Sequence, residues 1–544
     1  MKNMTVGRYL VKRLEQAGVR HVFGVPGDYV LKFLDEFQAS DIRFINTCNE
    51  LNAGYASDAY GRMKGIGAAC ITYGVGGLSI LNAVFGAFAE RVPLVIISGS
   101  PSTTERLHPH LLHHTAGDMR LQRGIYEKIT VASCVLTDAE TAPRKIDETL
   151  ASCVRYKRPV YIEIPLDMVS KECAEPREYE VTCIQSDKSA LEKAVSETLD
   201  LIRSAKSPAV LAGVEIHRFN LRNELHMLLD LTGYPFATTI LGKAVIPERH
   251  KQFVGVYYGH LGAEEPRRVV EDADLLLSLG ALMTDVNLGI GSARLDESRM
   301  IVANSDNVRV RHHIYQNVSL ADFIAALRER IPKGSATAKI NHPSLLLKNN
   351  FTPDPGRKIS LGRFYERINH FLDKGHVVVS DTGDSLFSSA ALFLPEGVDY
   401  IGQAFYMSIG FSIPAALGVK FASPRRRTIV FVGDGAFQMT AQELSSLIRY
   451  KLNPVIFLFN NDGYTIERAI HDGPYNDIQM WRYSELPQVF GGGWGCVVRT
   501  EGELEAALKR TVDEPESLAL IEVRLDRWDC SDALKKVGKA LAPK

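Results

Sequence analysis

No stretch of this sequence carries one sign of charge for long, and the whole carries almost none. Its 63 lysines and arginines stand against 64 aspartates and glutamates, a formal net charge of −1. That balance removes bulk charge as a means of holding nucleic acid or an anionic membrane. Long apolar runs are also missing: none reaches the ~18 residues that a membrane-spanning helix needs. The start, Met1-Lys2-Asn3-Met4-Thr5, lacks the apolar core and small-residue cleavage site of a secretory signal. Cysteine is sparse and scattered at Cys48, Cys70, Cys134, Cys153, Cys173, Cys183, Cys496 and Cys530, with no Cys-x-x-Cys pair. This pattern fits reduced thiols without a catalytic role, so a cytoplasmic location is expected. There is no short-period repeat and no low-complexity tract.

What is present is ordinary globular composition at unusual length. A chain of 544 residues, 45% hydrophobic and 23% charged, exceeds one ordinary core, and two to four domains are expected. Nearly continuous apolar runs recur at residues 92–97, 159–164, 208–211, 274–277, 376–379, 428–432, 454–459 and 518–523. Runs of that kind are strands buried on both faces, and the amphipathic segments between them imply α/β units with parallel sheets. Two polar stretches bearing proline, 173–188 and 332–358, read as linkers and divide the chain into rough thirds.

The strongest chemical signal is Gly433-Asp434-Gly435 after the strand at 428–432, followed by Asn460-Asn461-Asp462-Gly463 after the strand at 454–459. The stretch between holds a turn, a helix expected over 440–450 and a return strand, which is one βαβ unit. Asp434 and Asn461 therefore fall at the carboxyl ends of strands, where open α/β sheets bind ligands. A carboxylate, an amide oxygen and a backbone carbonyl are donors that Mg²⁺ accepts, with diphosphate oxygens completing its shell. Glycines there let backbone approach a diphosphate closely. Gly-Asp-Gly alone is also a common polar turn; the spacing to Asn-Asn distinguishes the two. Tyr73-Gly74-Val75-Gly76-Gly77 lacks the third glycine of a dinucleotide fingerprint, which argues against NAD.

Gly433-Asp434-Gly435 through Asn460-Asn461 resembles the thiamine-diphosphate motif. The continuation Asp462-Gly463-Tyr464-Thr465-Ile466-Glu467 and His471-Asp472-Gly473-Pro474-Tyr475-Asn476 resembles the pyruvate, indolepyruvate and branched-chain 2-oxo acid decarboxylases. The likeness runs from Phe23-Gly24-Val25-Pro26-Gly27-Asp28 to Leu534-Lys535-Lys536-Val537-Gly538-Lys539. It implies a three-domain α/β thiamine-diphosphate-binding fold, each domain a parallel sheet flanked by helices. The expected division is 1–180 for the pyrimidine of the cofactor, 190–340 for a central nucleotide-fold-like domain and 357–544 for the diphosphate and Mg²⁺. The site would lie between two chains, making at least a dimer, with a tetramer common in the family.

The resemblance also implies roles, residue by residue. Asp434, Asn461 and the Gly463 carbonyl would hold Mg²⁺. Glu50, in Asn49-Glu50-Leu51-Asn52-Ala53, would bond the pyrimidine ring and activate the cofactor. Asp28, His113, His114 and Glu467 would form the proton relay, with burial expected to raise the carboxyl pKa values and Glu443 expected behind them. Thr72, Thr382, Met407, Ile409, Gly433, Gly435, Ala436, Tyr464 and Ile466 would line the cofactor, Ile409 as the wedge that keeps it folded. Met407 stands where close relatives usually carry glycine. The pair His312-His313 matches nothing in the family and is assigned no role.

The implied reaction is non-oxidative decarboxylation of a 2-oxo acid to the aldehyde and CO₂, through an ylid and an enamine of the cofactor. The alternatives are a pyruvate decarboxylase in the strict sense and a carboligase of the acetolactate synthase type. A catalytically silent family member would have lost Glu50 or Asp434, and both are present. Leu386, Ile466, Ile470, Val537 and Val286 are the expected substrate pocket. Strict pyruvate decarboxylases carry a large aromatic residue where Leu386 stands, so a branched or aromatic acid is expected to fit. Some relatives owe sigmoidal kinetics to a cysteine in the middle domain, and this chain has none between Cys183 and Cys496. Rate curves should accordingly keep their shape after thiol alkylation, and a sigmoidal curve abolished by alkylation would contradict this reading.

Overall fold

Each apolar run expected to form a strand does so, and several, such as Leu94–Ser100 and Val455–Asn460, are buried at every position. The computed structural model describes residues 3–107, 111–176, 184–331, 340–344 and 351–542. The linkers expected at 173–188 and 332–358 fall partly outside the described residues, as does Cys183. The seven described cysteines are free. Among the described residues no helix is long and apolar enough to cross a membrane.

Strands buried on both faces are joined by crossover helices into parallel sheets, and three sheets result. The first runs across its width as Arg43–Asn46, His21–Gly24, Gly67–Ile71, Leu94–Ser100, Val160–Pro165 and Ala132–Val135, parallel throughout. The last runs as Asp399–Gly402, His376–Ser380, Arg427–Gly433, Val455–Asn460, Ala519–Arg524 and Trp494–Val498, also parallel throughout. Numbered along their own segments, both sheets follow the same order, 2-1-3-4-6-5. The order reverses between first and third strands, and open sheets bind ligands beyond the carboxyl ends at such a switch. Residues 25–28 and 72–77 lie there in the first sheet, and 381–384 and 434–436 in the last.

The middle sheet departs from the all-parallel expectation. Met300–Ala303, Leu275–Leu279, Pro208–Ala212, Phe236–Thr238 and Phe253–Val256 are parallel neighbours, but a hairpin of Asn307–Val310 and His313–Gln316 adds two antiparallel strands at one edge. The outermost strand is largely exposed. Its short length and exposed His313 and Gln316 suit an edge better than a double-covered strand. His312-His313 falls at that hairpin turn, where the His313 ring meets the Glu197 carboxylate at 3.0 Å.

By packing, the chain forms two units. One is Met1–Cys183 with Gly410–Arg425 and Thr440–Leu452; the other is Ile184–Ile409 with Arg426–Met439 and Asn453–Lys544. Each sheet sits within one of the three expected segments, but two helical pieces of the last segment belong to the first unit. The reason is local. Helix Glu50–Lys64 is buried along almost its whole length, and so is helix Ser412–Ala422. A helix buried on every side must be covered on every side, and the fully buried charges of Glu50–Lys64 are paired. Arg62 is bonded to Asp58 at 2.5 Å and to Glu90 at 2.7 Å, all three fully buried.

The two helices approach closely because Gly418 has no side chain: a Cβ there would overlap the Ala56 carbonyl oxygen. Helix propensity alone favours alanine by about 1 kcal/mol, but a collision with backbone has no flexible end to yield. Gly418→Ala should therefore destabilise by on the order of 1–3 kcal/mol, read as a lower melting midpoint. Gly362→Ala is the control: in helix Leu361–Asn369 a Cβ meets nothing within 4 Å. That variant should be neutral or slightly stabilising. Equal effects of the two substitutions would refute the packing argument.

Candidate cofactor and metal site

In the second unit the helix after Arg427–Gly433 starts at Asp434, earlier than the 440–450 expected, and breaks at Ala441–Glu443. The early start turns the Asp434 carboxylate back toward the strand ends. One oxygen accepts from the Gly435 N–H at 2.7 Å; the other accepts from the Asn461 and Gly463 N–H groups at 3.2 and 3.0 Å. Asp434 is 1% exposed. Burial pushes its pKa up to about 6, against the pull of those three N–H groups and with the like charge of Asp462 adding to the rise.

The loop Asn461–Gly463 is held from behind by Arg468. Its guanidinium bonds the carbonyls of Asn461 (2.9 Å) and Asp462 and the Asp477 carboxylate (2.8 Å), and it is buried. Gly463 is required in this loop. Its φ is +129°, and a Cβ would overlap the Asn476 carbonyl oxygen. Arg468 was not singled out in the sequence; a lone arginine on a short helix carries no signal until the carbonyls it gathers are known.

These residues line a cleft of about 330 Å³. Thr382, Met407, Ile409, Gly433, Asp434, Gly435, Ala436, Asn461, Gly463, Tyr464, Ile466, Glu467 and Ile470 all border it, from four separate stretches of chain. Gly383, Asp384, Asp529 and Leu541 border it too and were not anticipated. Half-buried Asp384 tethers the terminal helix Asp532–Leu541 by accepting bonds from the backbone N–H and the hydroxyl of its capping residue, Ser531. Met407 has φ +57°. A residue with a Cβ pays roughly 1–2 kcal/mol to stand there.

The remaining expected pocket residues do not border the cleft. Leu386, Val537 and Val286 are 0%, 2% and 5% exposed, within an apolar cluster that includes Tyr258, Phe387 and Leu534. They form the packing behind the wall, because neighbouring apolar groups close over them. Met407 and Ile466 pack against this cluster from the cleft side.

The first unit holds the other expected residues. Asn49 caps helix Glu50–Lys64 by accepting the Asn52 N–H at 2.8 Å, which places Glu50 in the first turn. The Glu50 carboxyl and the Thr72 methyl both come near Gly76, each 3.3 Å from where a Cβ would stand. Thr72 Oγ1 is buried with no hydrogen-bond partner among the described residues. Glu443, expected behind the relay, has its observed hydrogen bonds at the start of helix Glu50–Lys64. It accepts from the Asn52 amide at 2.6 Å and the Cys48 N–H at 3.1 Å, so it anchors the turn that carries Glu50. Burial raises its pKa.

His113 Nε2 lies 2.5 Å from Asp28 Oδ2, and His114 Nε2 lies 3.8 Å from Oδ1. Tyr29 stacks on the His113 ring, with centroids 4.7 Å apart. His114 has φ +63°, and its carbonyl lies where a Cβ of Gly74 would be, so the glycine admits the histidine pair. The expectation that burial raises the relay carboxyls fails at Asp28. Burial is the largest single influence and pushes its pKa up, but the His113 bond, the Tyr29 N–H and the two imidazoles together outweigh it and hold the carboxyl low. The group is half exposed, which is why burial loses. Glu467 is exposed, at the cleft of the second unit.

The donor set fits the implied groups. A buried carboxylate ringed by N–H donors and a like charge gains from a cation, and the Asp434, Asn461 and Gly463 oxygens are hard donors suited to Mg²⁺. The partnerless Thr72 hydroxyl beside Glu50 suits a polar heterocycle. Two α/β sheets of one order, each presenting such residues at its switch point, define a thiamine-diphosphate enzyme. Models of the thiamine pyrophosphate enzymes match residues 4–121 (N-terminal TPP binding domain), 195–330 (central domain) and 381–523 (C-terminal TPP binding domain). The chain is 35% identical to Pyruvate decarboxylase 4 of Arabidopsis thaliana over 99% of this chain and 92% of that protein. It is 36% identical to a pyruvate decarboxylase of Neurospora crassa over 99% and 96%, and 35% identical to one of Candida glabrata over 100% and 99%. The chain belongs to the thiamine-diphosphate-dependent 2-oxo acid decarboxylases and is a carboxy-lyase.

Removing the Asp434 charge should weaken Mg²⁺-dependent cofactor retention by at least ~100-fold, the upper end of what even outer-shell changes cost. Asp434→Asn tests this while retaining an oxygen acceptor for the N–H groups. Calorimetric titration with thiamine diphosphate and Mg²⁺, beside an unchanged far-ultraviolet spectrum, is the measurement. Retention at the wild-type level would remove Asp434 from the metal site.

Proposed function

We propose that this chain decarboxylates pyruvate to acetaldehyde and CO₂, the second of the substrate readings that the sequence offered. The observation that carries it is the set of relatives at 34–36% identity across 99–100% of the chain, each a pyruvate decarboxylase by name. The closed apolar cluster around Leu386 supports it. The expectation of a longer substrate rested on leucine being smaller than an aromatic residue there, and that saving in volume is taken up by packing.

In this reading the metal is Mg²⁺, held by Asp434, the Asn461 side-chain oxygen and the Gly463 carbonyl. Bound thiamine diphosphate supplies the electron sink that lets CO₂ leave. Glu50 holds a proton against the pyrimidine ring, and the Thr72 hydroxyl gains the partner it lacks. Ile409 and Ile466 exclude water from the reacting carbon. Asp28 and His113, hydrogen-bonded at 2.5 Å, together with His114 and Glu467 are the proton carriers for the product carbon in this reading. The working form is an oligomer, at least a dimer.

Steady-state kinetics of the loaded enzyme on pyruvate, 3-methyl-2-oxobutanoate, phenylpyruvate and indolepyruvate test the proposal. Pyruvate should lead in kcat/KM by about tenfold or more, the discrimination of one or two methylenes, with acetaldehyde as product. A lead for any bulkier acid would overturn the substrate. Acetolactate as main product would overturn the reaction in favour of carboligation. A second arm separates the proton roles. Glu50→Gln should slow hydrogen–deuterium exchange at the cofactor C2, whereas Glu467→Gln, His114→Ala and Asp28→Asn should exchange normally and turn over slowly. The same exchange defect in all four variants would contradict that division.

A further inference from the structure

We infer that the Met407 side chain sets the upper size limit of the substrate, by closing the cleft against the apolar cluster behind it. The inference rests on the reading of the cleft as the site of 2-oxo acid decarboxylation. It begins from the backbone. Met407 stands at φ +57°, a region that residues with a Cβ avoid and that asparagine and aspartate enter most readily. Strained positions of this kind persist where the surroundings over-determine them, and they gather at working sites.

The position of Met407 supplies the over-determination. Among the described hydrophobic residues only Met407 and Ile466 both border the cleft and pack against the cluster of Leu386, Val286 and Val537. The two are not equivalent. Ile466 is β-branched and sits on helix Thr465–Ile470, whose preceding loop Arg468 fastens at two carbonyls. Met407 is unbranched and lies outside any helix or strand, and its half-buried side chain is a flexible filler rather than part of a rigid frame. Shortening it opens the cleft toward the cluster, while Ile466 keeps its place.

This also accounts for how a chain with leucine at position 386 keeps a small pocket. Leu386 is fully buried in the cluster, so its size acts on the substrate only through whatever stands between cluster and cleft. Met407 occupies that place and supplies bulk from the opposite side of the wall. Discrimination among 2-oxo acids then depends on this side chain more than on Leu386.

The test compares wild type with Met407→Ala, Met407→Gly and Met407→Leu, each with thiamine diphosphate and Mg²⁺. The quantity read is kcat/KM for 3-methyl-2-oxobutanoate divided by that for pyruvate. Melting midpoints of the cofactor-free proteins are measured alongside. Alanine keeps the strained backbone and removes the bulk; glycine removes both; leucine keeps most of the bulk. The ratio should rise at least about tenfold in both Met407→Ala and Met407→Gly, on the scale of one or two methylenes of space, and stay within about threefold of wild type in Met407→Leu. The cofactor-free glycine variant should melt above the alanine variant, since glycine alone is at ease at this φ. A ratio that moves only in Met407→Gly would assign the effect to the backbone and overturn the inference. A ratio that moves in neither the alanine nor the glycine variant would also overturn it. The wild-type ratio by itself tests the pyruvate reading, so that reading can fail while the change on substitution still stands.

Discussion

The second unit is organised around one buried carboxylate. Asp434 sits at the end of a central strand with three backbone N–H groups turned onto it, from Gly435, Asn461 and Gly463. Those donors come from both ends of a βαβ unit, so the charge ties the end of one strand to the loop after the next. Burial makes that charge costly for the protein alone, and the same cost makes the site receptive to a cation. Arg468 completes the arrangement by taking the carbonyls of Asn461 and Asp462 from outside. Without it, the Asn461 and Asp462 carbonyls would lose the partner that gathers them.

The first and last sheets share one strand order, and each presents its functional residues at the same topological place. In the first, the switch point carries Asp28 and Thr72; in the last, Thr382 and Asp434. The chemistry differs although the scaffold repeats. One switch point carries an Asp–His pair and a hydroxyl with no partner among the described residues, the other hard oxygen donors. Glycine is what adapts a common scaffold to these differences, by admitting the histidine pair at Gly74 and turning the Asn461–Gly463 loop.

Substrate size is decided one layer further out. The cluster of Leu386, Val286 and Val537 is too well covered to touch a substrate directly. Its influence passes through Met407 and Ile466, which belong to both cluster and cleft. A pocket read from residue sizes treats each residue as bordering the cavity, and three of the five, Leu386, Val537 and Val286, do not border this cleft. Close-packed interiors transmit volume changes to their neighbours, so the residue on the boundary is the one that matters most for size.

The sequence alone determined the α/β class, because buried parallel strands require continuous apolar runs and leave that mark in any chain. It brought the proposed Mg²⁺ donors together, because Gly-Asp-Gly and Asn-Asn after consecutive strands are juxtaposed by local βαβ geometry. It determined Glu50 as a first-turn residue, because Asn49 is a helix cap. Only the tertiary structure decided the rest. The antiparallel edge of the middle sheet depends on which strand has no neighbour, a non-local fact. The low pKa of Asp28 depends on solvent reaching it between two histidines far along the chain. Glu443 serves the Glu50 turn because helices distant in sequence pack through Gly418. The strain at Met407 and the burial of Leu386 are set by the side chains around them, and sequence spacing carries no record of those neighbours.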